Sequence, residues 1–218
     1  MTLVYFVHLA NYSDGVLYVL AALMLLTLAV MLDRFWYLRR TVIGGNRVVD
    51  RARQLTTLDA HALRALAAGA AELPEAALLQ ATLTHLGSAR GEALGQHLDE
   101  TIMLLAPALD RRLWVLDTAV TLAPLLGLFG TIVGMFHAFS VLALPGHAAT
   151  DVTAGVADAL VATACGIFIA MIGLSAYNAL SNQVRVIIHQ LDSLRTVLVN
   201  RSHEIRAAPG LDARQEAA

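Results

Sequence analysis

The sequence predicts an all-α membrane protein with three transmembrane helices. The second and third are expected to be long, extending into the cytoplasm beside a helical cytoplasmic domain. Three observations carry this. Residues 15–32, 118–144 and 159–184 contain no Asp, Glu or Arg, and about 20 apolar residues cross the ~30 Å hydrocarbon core of a bilayer. All 15 basic side chains are Arg, and none falls within 1–33 or 113–184. Hydrophobic residues make up 57% of the chain and the mean hydropathy is +0.63, above an ordinary soluble domain. No segment shows the period-two alternation of a strand.

The one-sided arginines orient each segment by the positive-inside rule. Residues 1–14 read as a periplasmic N-terminus, where Tyr5, Phe6 and Tyr12, with Tyr18, suit an interfacial aromatic belt. No basic n-region precedes the first apolar run, so that run is expected to remain as an anchor. Residues 15–33 form the first transmembrane helix, closed by Asp33-Arg34 and the inner belt Phe35, Trp36 and Tyr37.

Residues 34–117 read as the cytoplasmic helical domain. Gly44-Gly45 is expected to break the chain, Asp59 to cap a helix, Pro74-Glu75 to begin another, and Ser88 or Gly91 to open the next. Leu94, Leu98, Ile102, Leu105, Leu109, Leu113 and Leu116 recur at helical spacing, which predicts one helix running from the cytoplasm into the second span, with a kink at Pro107. Residues 118–144 are the second transmembrane helix, 145–151 a periplasmic turn and 152–183 the third transmembrane helix. In 184–218 the stripe Val184, Ile187, Ile188, Leu191, Leu194, Leu198 and Ile205 predicts a cytoplasmic helical extension that needs a helical partner, followed by a frayed tail.

A helix that only anchors needs nothing but large apolar residues, and the second and third spans differ from that. Gly127, Gly130 and Gly134 form one small-residue ridge, continued by Ala138. Gly155, Ala162, Gly166 and Gly173 lie on another, with Ala159 and Ala170. Such ridges let helix backbones approach closely in lipid. A three-helix bundle within one chain would use them, but with the long extensions a homo-oligomer is favoured, and the first span is expected to face lipid. Cys165 lies inside the third span and reads as a small core residue.

The polar side chains of these spans are few. Asp158 is the exceptional one, because a carboxylate within a bilayer is costly and faces protein or water. It lies about 10 Å below the outer boundary at 1.5 Å per residue. Thr131 and Thr163 differ in depth by roughly 4–5 Å on the same rise. They read either as a hydroxyl band in a pore or as hydroxyls bonded back to their own helices. His137 reads as a relay or a packed imidazole, and Asn178 as an interhelical hydrogen-bonding group.

The stretches 122–139 (LAPLLGLFGTIVGMFHAF) and 155–178 (GVADALVATACGIFIAMIGLSAYN) resemble the second- and third-span signatures of the ExbB/TolQ proton-channel family, the ExbB branch above all. The resemblance implies a homopentamer around a dimer of a one-span ExbD/TolR-type partner, coupled to a TonB-type transducer in the bacterial inner membrane. It implies use of the proton-motive force for TonB-dependent outer-membrane transport, with a TolQ-type envelope role or a non-conducting scaffold as the alternatives. The family's pore threonines match Thr131 and Thr163, and its outer pore acid matches Asp158. The family's usual Glu is here Asp, and two of its customary prolines are replaced by Ala154 and Ile172.

Other classes fit less well. There is no His-Glu-x-x-His motif, nucleophile elbow or pair of catalytic acids, so no enzyme, metal site or cofactor is expected. A chain without Lys cannot carry a phosphate-binding loop of the Gly-x-x-x-x-Gly-Lys type. Membrane orientation accounts for the arginines, and no nucleic-acid partner is expected.

Overall fold

The computed structural model describes residues 15–55, 59–85, 88–142 and 149–202. The expected periplasmic N-terminus, most of the periplasmic turn and the C-terminal tail lie outside them. Among the described residues there are six helices and no strand: α1 (Val16–Gln54), α2 (Ala60–Gly69), α3 (Glu75–Thr84), α4 (Glu92–Leu109), α5 (Leu113–Leu142) and α6 (Ala149–Asn200). Three of them, α1, α5 and α6, are long and apolar enough to cross a membrane. The 52 residues of α6 extend about 78 Å at 1.5 Å per residue. It is one uninterrupted helix, as its apolar stripe predicts.

The chain folds as two compact units. The first takes α1 as far as Arg34 together with Arg112–Leu180. Its core joins Val16, Leu17 and Leu20 of α1 to Ala123 of α5 and Ile169 of α6, with Cys165 packed against them. The first span is therefore not simply lipid-facing. One stripe of it is buried, while Leu25, Leu26 and Leu32 are exposed.

The second unit takes Phe35–Arg111 and the chain from Ser181. Ile187, Leu191, Leu194 and Leu198 of α6 are buried there together with Leu38, Val48, Leu63, Leu78 and Leu98. The partner that the α6 stripe required is thus supplied by the same chain, and this stripe is no longer an argument for an oligomer. Asp59 caps α2 as expected, its Oδ1 accepting from Ala62 N at 2.7 Å. Gly91 precedes α4 with φ 56°, a left-handed value that glycine tolerates.

Two expectations about breaks are corrected. Gly44-Gly45 does not interrupt α1, which runs through both. A Cβ on Gly44 would stand 2.7 Å from Leu73 Cδ1, and one on Gly45 would collide with the Glu75 carboxylate and the Gln190 amide. The pair therefore marks close approach rather than chain reversal. Conversely, the stripe from Leu94 to Leu116 is not one helix. α4 ends at Leu109, two residues after Pro107, and α5 begins at Leu113. Pro107 lies inside α4 and does not itself end it, since Asp110 N still bonds Ala106 O at 3.2 Å. Between the helices Arg112 adopts φ 69°, and its guanidinium bonds Asp33 Oδ2 at 2.8 Å. Leu109 and Leu113 are both buried, so the burial pattern runs through a turn that periodicity cannot reveal.

Candidate functional site

The site is built where α5 and α6 run side by side with almost no side chain between them. A Cβ on Gly127 would stand 2.7 Å from the Ala162 carbonyl oxygen and 3.0 Å from Thr163 Cα, and one on Gly166 would strike the Ala123 carbonyl oxygen. Gly134 meets Ala159 in the same way, with 2.8 Å to its Cβ. These contacts fix the antiparallel register. They also show what the ridges do: Gly127, Gly130, Gly134, Ala162 and Gly166 pack α5 on α6 inside one chain. Gly130 additionally meets Val16 of α1, and Gly173 meets Val120 with Thr27 nearby. Gly155 is buried in α6.

That register brings the two threonines together. Thr131 Oγ1 and Thr163 Oγ1 are in direct hydrogen-bond contact. The offset of a few ångströms expected from residue counting does not keep the two hydroxyls apart. Thr163 Oγ1 also donates to Gly127 O at 3.0 Å. Thr131 Oγ1 lies 3.1 Å from the same carbonyl and 3.3 Å from Ala159 O. Two hydroxyl protons therefore face two carbonyls and each other, so the network has more acceptors than protons. Such a chain of hydroxyls has alternative donor arrangements of similar geometry.

The back-bonding alternative describes several other hydroxyls of α5 and α6. Thr118 donates to Trp114 O, Ser140 to His137 O and Ser175 to Met171 O, all within their own helices. Thr131 and Thr163, unlike these three, reach across. Thr131 is buried and Thr163 half-buried, so the pair meets the surroundings of the chain through Thr163.

Asp158 lies on α6, half-buried, five residues before Thr163, or about 7.5 Å along the axis. His137 of α5 is half-buried, and its ring meets Phe136 edge-on with centroids 6.0 Å apart. Asn178 is exposed and sits well along α6 from the hydroxyl pair. Around these few polar groups α5 and α6 present large apolar side chains outward, among them Leu125, Phe129 and Phe136, and Leu160, Phe168 and Met171. No group of three or more His, Cys, Asp or Glu suited to a metal occurs among the described residues.

Sequence reasoning singled out the hydroxyls, the carboxylate and the ridges, and missed a buried cluster in the other unit, Gly45, Glu75 and Gln190. The signal was there in a Gly-Gly pair set within helix-forming sequence.

Residues 70–193 match the MotA/TolQ/ExbB proton channel family. The chain is 42% identical over 81 residues to the Tol-Pal system protein TolQ of Haemophilus influenzae, a match that covers 37% of this chain and 36% of that protein. It is 29% identical over 150 residues to the putative biopolymer transport protein ExbB-like 3 of Synechocystis sp., covering 67% and 71%. It is 38% identical over 73 residues to the biopolymer transport protein ExbB of Neisseria gonorrhoeae, covering 33% of each. The first and third matches thus span only about a third of those relatives. The family match takes in more than half of the chain, including both helices that carry the hydroxyl pair, and the protein belongs to the MotA/TolQ/ExbB proton channel family.

Proposed function

We propose that this chain is the proton-conducting subunit of an ExbB–ExbD-type motor in a bacterial inner membrane, converting the proton-motive force into work on TonB-dependent transport. The observation that carries this reading is the Thr131–Thr163 contact. Hydroxyls that serve only their own helix need no partner across the seam. A pair bridging two helices, with a carboxylate less than two turns away, supplies donors and acceptors for a proton path through an apolar wall. In this reading Asp158 takes and releases the proton near the outer end, and Thr163 presents the hydroxyl pair to the pore. His137 lies on the outer approach and Asn178 at the inner end.

The assembly is a homopentamer around a dimer of a one-span partner of the ExbD/TolR type, with a TonB-type transducer. The N-terminus is periplasmic, and 34–117 and 184–218 are cytoplasmic. Because the glycine ridges are used inside the subunit, neighbouring copies and lipid meet the outward apolar side chains of α5 and α6 instead. A TolQ-type role in envelope integrity is the second reading, favoured by the 42% identity to TolQ over the matched 81 residues.

The test is proton flux and partner-dependent transport in the same strains, with the mass of the intact complex measured alongside. Asp158→Asn and Thr163→Val are expected to impair flux and transport while the complex mass is unchanged. Asp158→Glu is expected to be tolerated, since it keeps the charge and extends it by one methylene. Full transport in the Asp158→Asn, Thr163→Val double variant would overturn the channel assignment in favour of a scaffold. Complementation of strains lacking either the Ton or the Tol subunit separates the two pathways.

A further inference from the structure

The second unit contains a charge problem that the channel reading does not touch. Glu75 is the first residue of α3 and is 0% exposed. Neither of its carboxylate oxygens has a hydrogen-bond partner outside its own residue. Gln190 Oε1, also buried, has none either. Glu75 Oε1 and Gln190 Oε1 both face the point that a Cβ on Gly45 of α1 would occupy. Two acceptor oxygens thus meet at one bare helix surface, and neither has a donor.

The amide orientation of Gln190 is fixed by chemistry. Its Nε2 donates to Val42 O at 3.0 Å and to Asn46 Oδ1 at 2.9 Å. A backbone carbonyl can only accept, so the NH2 must face Val42 and the oxygen must face Glu75.

We propose that Glu75 carries a proton at neutral pH and donates it to Gln190 Oε1, forming a protonation-controlled latch that ties α3 to α1 and α6. One proton satisfies both orphaned partners, the carboxyl becoming a donor and Gln190 Oε1 its acceptor. A bound cation fits less well. The carbonyl and amide oxygens of Val42 and Asn46 are already taken, which leaves too few ligands for the six or more oxygens that a hard cation gathers.

Burial acts in the same direction, pushing the Glu75 carboxyl above its ordinary value, and only its own backbone N–H opposes this. The N-terminus of α3 also favours the anion, but a helix end offsets only a fraction of the cost of a buried, unpaired carboxylate. No neighbouring charge compensates. Arg47 and Asp50 on α1, His61 and Arg64 on α2, and His189 and Asp192 on α6 are exposed. On α3 and α4 His85 stacks on His97, and Asp99 is engaged by Arg195. None of these groups makes a hydrogen bond or ion pair with Glu75.

The sign follows from linkage. A carboxyl whose folded pKa is raised contributes fully below its unfolded value, near 4.5. That contribution falls as pH rises through the folded value, where the anion forms without a donor. Alkaline cytoplasm would release the latch.

The experiment uses the full-length protein in detergent or nanodiscs and does not depend on the channel reading. Thermal midpoints are followed from about pH 6 to about pH 9. The wild type is expected to lose stability as pH rises. Glu75→Gln, whose amide replaces the donating O–H, is expected to hold its midpoint and lose that part of the dependence. Superimposable profiles would overturn the proposal. So would a wild-type midpoint that changes when sodium is replaced by a large organic cation at constant ionic strength, because that marks a cation site. If Glu75→Gln does not fold, infrared spectroscopy decides on the Asp158→Asn background, which removes a half-buried carboxyl of the first unit; the half-buried Asp99 is paired with Arg195. A protonated-carboxyl carbonyl band at neutral pH that disappears in alkali supports the proposal, and no such band at neutral pH sinks it.

Discussion

The hydroxyls of Thr131 and Thr163 share one carbonyl, Gly127 O, besides each other. Removing either leaves that carbonyl with one remaining donor, so neither single loss orphans it. Thr131→Val and Thr163→Val should therefore each cost about 1 kcal/mol, the usual net value of an intramolecular hydrogen bond. The double variant should depart from the sum of the singles, because the two groups form one network. A double-mutant cycle by denaturation of the purified protein measures this. Strict additivity would mean that each hydroxyl serves only its own helix. Function is expected to respond differently from stability: Thr163 is half-buried and Thr131 buried, so Thr163→Val should impair transport more than its stability cost implies.

At the scale of helices, the glycines divide by what they touch. Gly166 faces the Ala123 carbonyl and Gly127 the Ala162 carbonyl, which are backbone groups that cannot swing aside. Gly166→Ala should destabilise by about 1–3 kcal/mol through overpacking. Gly69, the last residue of α2, has nothing within 4 Å of the Cβ position. Gly69→Ala should stabilise by roughly 0.4–1 kcal/mol by restricting the unfolded chain. Opposite shifts in the melting temperatures check both. These helices also show what a sequence reveals. Their existence, the Asp59 cap and the Gly91 start were legible, since apolar spacing and capping chemistry are local. The partner of each stripe was not, because periodicity states that a face is buried and not against what. Gly44-Gly45 and the Leu109–Leu113 junction were misread for related reasons. A glycine pair serves equally as a break or as a contact, and residues four apart stay in phase across a tight turn. Of the site, the residue types were readable, but the hydroxyl contact depended on a register that only the backbone-to-backbone seam determines.

For the whole molecule, the proposed arrangement makes the two units occupy different solvents. The first, with α1 to Arg34 and Arg112–Leu180, sits in lipid, and the second in the cytoplasm. Cysteines introduced at Ser13 and Ala148 should react with an impermeant maleimide in intact cells, and one at Ala67 should react only after lysis. Labelling of the Ala67 site in intact cells would overturn the topology. The same division explains the exposed surface. Leu25, Leu128, Phe136 and Met171 are exposed in the isolated chain, which is unfavourable in water but costs nothing against acyl chains or a neighbouring apolar subunit.

The buried face of α1 has a consequence for the order in which the protein is made. Val16, Leu17 and Leu20 are covered by Ala123 and Ile169, which leave the ribosome much later. Until then, on the proposed topology, acyl chains solvate these side chains as well as Leu or Ile would. Thr27 is fully buried and bonds Leu23 O of its own helix, so it too awaits no partner. The far end of the same helix has no such shelter. On the proposed topology Leu38, Val48 and Val49 emerge into water, while Ile187, Leu191 and Leu194 are still to be synthesised. One end of α1 is thus complete on insertion. On that topology the other end keeps an uncovered apolar stripe in water until the last third of the chain is made.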